Sequence, residues 1–294
     1  LFVGGEQIGS ENDLLAGFVD EELRGVVSGL VFPPTGNVVF NLMLFSNETS
    51  GETVTFKYYH AESDIVFCLN ETLEFELGKV LPKDGVALYH SRIPMCNEVN
   101  SDTLKQMQID IPNSAALLPP ALAFDVIGYG CTSGACLIGH EAVRDAVQQA
   151  HPEAQVTDPM SAIIAACEVL GAKKLGFLTP YVAEVSAQMR EKLEASGHSV
   201  VAFASFEETE DKVVAKITET SILEAIESVA AQAECDAVVV SCTSLRTTDL
   251  VKEAESRIGK PVISSNLAMA WHMMTLANLP QTQEQFGKLH ALIT

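Results

Sequence analysis

A chain of 294 residues, 47% of them apolar, holds enough hydrophobic material for one large domain or two ordinary ones. Its formal charge of −21 excludes nucleic acid and anionic membrane surfaces as partners, because no basic patch is available to neutralise phosphates. No apolar run approaches the roughly 18 residues that a membrane-spanning helix needs. The opening LFVGGEQIGSEND, with Leu1 in place of an initiator Met, lacks the basic and apolar regions of a signal peptide. Seven cysteines without a CxxC pair fit reduced thiols and a cytoplasmic setting better than a disulfide framework or a zinc site.

Residues 1–63 read as a small antiparallel β module. Aromatic-rich or alternating runs at 15–20, 24–32, 38–46 and 53–60 are separated by the turn clusters PPTGN and NETSGE. From 64 the texture changes to short apolar strands alternating with helical patterns. Strands are predicted at 64–69, 86–93, 124–130, 174–179, 199–206, 235–241 and 260–265, and helices at 140–150, 159–171, 181–197 and 220–234. This alternation predicts an α/β domain over 64–294 with a mainly parallel sheet. Its halves are 64–170 with the C-terminal helix, and 171–279.

One pattern occurs twice. In 125-DVIGYGCTSG-134, Asp125 opens a strand that ends at Cys131 before Thr132 and Ser133; in 236-DAVVVSCTSL-245, Asp236 and Cys242 repeat the spacing before Thr243 and Ser244. Helices follow at 140–150 and 248–257, then short strands in QVTDPMSA and PVISSNLA, then helices expected from Ala162 and Ala268. The shared order over forty residues predicts two similar Rossmann-like halves facing each other across a pseudo-two-fold axis, with the active site between them.

Ligands of open α/β sheets bind at the carboxyl ends of the strands. Both cysteines belong there. The backbone N–H groups and the hydroxyls of Thr132, Ser133, Thr243 and Ser244 are expected to cradle a carboxylate or enolate oxygen and to lower each thiol pKa. Two sulfurs flanking one small substrate allow proton removal on one face and delivery on the other, or covalent addition by one of them. Cys167 and Cys235 read as packing residues, and Cys136 has no counterpart in the second copy.

The stretches 65-IVFCLNETLE-74, 90-HSRIP-94, 125-DVIGYGCTSG-134, 179-TPY-181, 238-VVVSCTS-244 and 261-PVISSN-266 resemble the aspartate/glutamate racemase superfamily. The likeness is greatest to its maleate isomerase and arylmalonate decarboxylase branch, which includes the EutA-like proteins of ectoine utilisation. The resemblance implies cofactor-free chemistry beside a carboxylate, carried by Cys131, Cys242 or both, in proteins that are often homo-oligomers. In maleate isomerases the first cysteine adds to the double bond and the second handles protons; in the racemases the two are a pair of bases. Arylmalonate decarboxylases lack the first cysteine, so Cys131 weighs against that activity. The resemblance assigns Asn70 and Tyr181 to substrate binding. It sets Lys212 where isomerases tend to carry a second carboxylate-binding Asn, a departure that weighs against maleate itself. The β module lies outside this resemblance and is similar to small modules found beside enzymes or adhesins on bacterial surface proteins.

The expected function is thus a cofactor-independent isomerase or racemase for a small dicarboxylic or amino acid. A lyase working through the same enolate and a non-catalytic binding protein are the alternatives. No GxGxxG with an acidic partner, no GxSxG and no metal-ligand spacing among the seven His point elsewhere.

Overall fold

The computed structural model describes residues 2–3, 6–7, 10–19, 22–32, 37–40, 55–60, 65–69, 72–94, 100–279 and 283–292. Two compact units emerge, Leu1–Glu71 with Pro94–Cys96, and Thr72–Ile93 with Asn97–Thr294.

The first unit is antiparallel, as the alternating runs predict. Strands β1 (Phe2–Val3) and β2 (Glu6–Gln7) pair with each other, and β3 (Leu14–Val19) pairs with β4 (Glu22–Ser28). A separate ribbon joins β5 (Leu30–Phe32) to β6 (Asn37–Val39). Next come β7 (Thr55–His60) and β8 (Ile65–Leu69), which complete a sheet in the order β4-β3-β7-β8. Gly29 is required between β4 and β5, where any Cβ would stand 2.2 Å from the Ser10 carbonyl oxygen.

β8 departs from expectation. The run 64–69 was assigned to the α/β domain, but β8 pairs antiparallel with β7, placing Tyr58 opposite Phe67 and Lys57 opposite Cys68. The boundary therefore falls after Glu71 instead of before residue 64. A short apolar run carries no label for parallel or antiparallel pairing. The neighbour that offers unpaired N–H and C=O groups decides it.

The second unit opens with α1 (Thr72–Val80) and α2 (Ser101–Ala115). Residues 86–93, expected as a strand, form none. That segment is held by side chains instead: Ser91 bonds the Ser114 carbonyl, and Tyr89 meets Phe124 edge-on at 5.6 Å. The first half continues with β9 (Val126–Gly128), α3 (Thr132–Ile138), α4 (His140–Gln148), β10 (Gln155–Thr157) and α5 (Pro159–Val169). The second contains β11 (Lys174–Tyr181), α6 (Ala183–Ala195), β12 (Ser199–Glu208), α7 (Asp211–Val214), α8 (Glu219–Gln232), β13 (Ala237–Val240), α9 (Val251–Ile258), β14 (Val262–Ser264) and α10 (Ser265–Leu276).

Among the described residues all strand pairs of this unit are parallel: β9 with β10, and a sheet ordered β12-β11-β13-β14. Every residue of β13 is fully buried, as an uninterrupted AVVV run in a parallel sheet covered on both faces requires. The repeat holds down to register. Ile127 pairs with Val156 in the first copy, and its equivalent Val238 pairs with Val262 in the second. Both closing helices begin three residues earlier than Ala162 and Ala268, at Pro159 and Ser265. Their N-caps are the strand-end polar residues: Asp158 accepts from Ser161 N at 2.9 Å, and Ser264 from Leu267 N at 3.2 Å. Among the described residues no helix is long and apolar enough to cross a membrane.

Candidate active site

The two Cys-Thr-Ser turns lie against each other at the carboxyl ends of β9 and β13. Two hydrogen bonds join them, Thr132 to Ser265 and Thr243 to Gly130, and two more brace the second turn against α10. The hydroxyls of Thr132 and Ser265 share a hydrogen bond of 3.0 Å, and the Cys242 backbone N–H donates to the same Ser265 oxygen at 3.0 Å. Thr243 Oγ1 donates to the Gly130 carbonyl at 3.0 Å, and Asn266 Nδ2 donates to the Thr243 carbonyl at 3.2 Å. The residue after each cysteine is thus tied to the opposite half or to α10.

Cys131 is half-buried and caps α3, its Sγ accepting from Gly134 N at 3.3 Å with Ser133 Oγ 3.5 Å away. Gly134 has no room for a side chain, since a Cβ would lie 2.1 Å from the Tyr129 hydroxyl and 3.2 Å from the Cys131 sulfur. Cys242 is buried, with its sulfur 3.0 Å from the Tyr181 hydroxyl and accepting from Ser244 N at 3.2 Å.

The expectation of lowered thiol pKa values is overturned. Burial pushes Cys131 above the ordinary thiol value, against hydrogen bonds from Ser133 and Gly134 that favour the thiolate. Cys242 is pushed up to about 12, first by burial and then by the negative charge of Asp211, against Tyr181 and Ser244. Desolvating a thiolate costs more here than two hydrogen bonds return. Both sulfurs therefore rest as thiols. Tyr181 is held well above the usual phenol range, first by burial, and remains a donor.

The expected substrate-binding residues divide. Ser133, Tyr181 and Ser244 touch the sulfurs, whereas the hydroxyls of Thr132 and Thr243 are spent on holding the halves together. Lys212 lies in α7, but its side chain falls outside the described residues, as does Asn70 altogether. Cys136 bonds the Gln188 carbonyl at 3.2 Å and is pushed up to about 11 by burial; Cys167 and Cys235 are buried in the core. Among the described residues no group of three or more His, Cys, Asp or Glu is placed to hold a metal ion.

Several contributors were not singled out in the sequence. Asp211 accepts from Ser244 Oγ at 2.9 and 3.0 Å. Glu76, buried on α1, accepts from Thr247 N at 2.6 Å, Thr248 N at 2.9 Å and Thr247 Oγ1 at 3.2 Å, and from the Asn266 amide. It anchors the loop after Cys242, and burial raises its pKa despite these donors. Its signal was a carboxylate inside the apolar stripe Leu73, Leu77 and Val80. Asp211, in the polar run EETEDK, had none.

Two parallel-sheet halves meeting at paired cysteines define a cysteine-centred α/β enzyme architecture. The sequence model described as arylmalonate decarboxylase matches residues 140–290, half of the chain, and the chain belongs to that family, within the aspartate/glutamate racemase-like fold superfamily. It is 25% identical over 225 residues to the maleate isomerase of Alcaligenes faecalis, covering 71% of this chain and 88% of that protein. The crystal structure of the maleate isomerase Iso from Pseudomonas putida S16 superposes with a TM-score of 0.68 at 25% identity, over 76% of this chain and 94% of that one. A cysteine-to-serine variant of the Nocardia farcinica maleate cis-trans isomerase, holding a covalently bound succinylcysteine intermediate, superposes with a TM-score of 0.68 at 24% identity over the same shares.

Proposed function

We propose that this chain is a cofactor-independent isomerase that rearranges a small carboxylate at the carbon beside the carboxyl group, using Cys131 and Cys242 from opposite sides. The observation that carries the reading is the Ser265 hydroxyl, which joins Thr132 to the Cys242 amide and so fixes the two turns as one site. Cys131, the less buried residue of the two, is the group that meets the substrate carbon. Cys242, hydrogen-bonded to Tyr181, delivers or receives the proton on the other face.

Both thiols rest protonated, so one of them first gives its proton to water as the substrate binds, leaving one thiolate and one thiol. With an unsaturated acid, Cys131 sulfur bonds to one alkene carbon while Cys242 protonates the other; rotation about the resulting single bond and reversal release the geometric isomer. With a saturated acid, one sulfur removes the α-proton and the other returns a proton to the opposite face. Neither path needs an oxidant or reductant. The succinylcysteine of the Nocardia isomerase supports the covalent path as chemistry available to this architecture. The maleate isomerase relatives support an isomerase over the decarboxylase that names the family.

The test is turnover of dicarboxylates, amino acids and arylmalonates in deuterated water. An isomerase changes configuration or incorporates deuterium without losing carbon, and the Cys131→Ser variant, still folded, loses that activity. Carbon dioxide release from a malonate would favour the lyase, and full activity in Cys131→Ser would sink the two-thiol reading.

A further inference from the structure

Every group that approaches the sulfurs so far is neutral, with one exception. Asp211, at the start of α7, is bridged to the site by a single residue: the Ser244 hydroxyl donates to both of its carboxylate oxygens, and the Ser244 amide donates to the Cys242 sulfur. Behind burial, the first cause at each group, the charge of this carboxylate also disfavours ionisation of Cys131, Cys242 and Tyr181. It is itself half-buried. Burial raises its pKa, while Ser244 and the charge of Arg92 favour its ionised form. A carboxylate with Arg92 as a nearby countercharge thus stands one residue from the Cys242 sulfur, in a site proposed above to take an anion.

A dicarboxylate spanning that point would bring one of its own carboxylates toward Asp211, inside partly desolvated surroundings where like charges repel strongly. An ammonium or hydroxyl in the same place would donate to Asp211 and join the hydrogen bond already supplied by Ser244. We propose that Asp211 is a specificity-determining residue that selects a monocarboxylate bearing a cationic or hydrogen-bond-donating group, of which α-amino and α-hydroxy acids are the simplest, and rejects dicarboxylates. This rests on the two-thiol site but not on its turnover. Asp211 acts as a neighbour of the substrate, and the sulfurs do the chemistry.

The experiment reads binding and turnover separately. Alkylation of Cys131 by iodoacetamide is followed by mass spectrometry on the full chain, wild type and Asp211→Asn, with maleate or a panel of amino and hydroxy acids as protectants. In the wild type, a member of the panel protects Cys131 while maleate does not. In Asp211→Asn the order inverts, with protection by maleate strengthening by roughly 100-fold, the scale of losing one partly buried like-charge contact. Asp211→Ser, which also removes the charge, shows the same inversion where the Asn variant does not fold. Equal protection of the wild type and the neutral variants by maleate overturns the proposal. So does a wild type that binds maleate more tightly than any panel member, including the case in which Asp211 is protonated and donates to a carboxylate. If protection follows the expected order but no deuterium enters the protecting acid, Asp211 stands as the selector and the isomerase reading fails instead.

Discussion

The two Cys-Thr-Ser modules share strand register and helix caps, yet they hold their sulfurs differently. In the first, Cys131 is half-buried and caps a helix, with Ser133, Gly134 and the Tyr129 ring around it. In the second, Cys242 is buried, paired with Tyr181, and the following loop is no helix until Val251. That loop is held by one carboxylate, Glu76, bonded to Thr247, Thr248 and Asn266. A duplicated scaffold has therefore been finished twice, by local helix formation on one side and by a long-range clamp on the other. On the proposed reading, the difference assigns the less buried Cys131 to the substrate carbon and the buried Cys242 to the proton.

The strongest test of that separation is a cycle of cysteine variants. Cys131→Ser and Cys242→Ser each lower kcat by roughly 1,000-fold or more, and the double variant loses no more than the worse single one, because groups acting on one bond are not additive. Steady-state kinetics on the preferred substrate decides it; losses that multiply would mean the sulfurs serve separate steps.

Next are the supports, which are expected to fail independently. Glu76→Ala strands the Thr247 and Thr248 amides and costs about 3 kcal/mol in the second module. Gly134→Ala drives a methyl toward the Tyr129 hydroxyl and costs about 1–3 kcal/mol in the first. Alkylation rates and thermal melts locate the damage: Glu76→Ala speeds modification of Cys242 over Cys131, and Gly134→Ala does the reverse. Equal effects on both sulfurs would show that the modules respond as one body.

The smallest effect is a titration. Cys242 ionises near 12, so its alkylation is slow at neutral pH and climbs as pH rises toward that value. The Tyr181 hydroxyl lowers this pKa, so Tyr181→Phe raises it and slows labelling at a fixed pH below 12 by roughly tenfold, the worth of one hydrogen bond to a charged sulfur. Cys131 keeps its own profile. The same shift carries a stability sign. Below the ordinary thiol value of 9.0 both folded and unfolded chains hold the proton; between there and about 12 only the folded chain does, so stability falls as pH rises through that window. Cys242→Ser flattens this part of the alkaline melt.

Much of this was legible before folding. Strand–helix alternation, the parallel sheet and both strand-end cysteines follow from apolar runs of the right length and from a repeat too long for chance. The parts that escaped lacked a local signature. Strand β8 has the same texture as β13, and only its partner makes it antiparallel. Residues 86–93 have the composition of a strand but pair with none among the described residues. The donors around the cysteines were read correctly as stabilising a thiolate, but burial, which sums over the whole fold, outweighed them.

The sequence by itself determined the architecture of the second unit, its internal symmetry and the pair of sulfurs, because periodicity and strand-end position are properties of short segments. The tertiary structure alone decided which hydroxyls face the sulfurs and which lock the halves, that burial favours the protonated thiols, and that Glu76 and Asp211 bond to the stretch after Cys242. The physical reason is distance. Glu76 lies 171 residues from Thr247 and Asp211 lies 33 from Ser244, so their hydrogen bonds and fields exist only once the chain has closed.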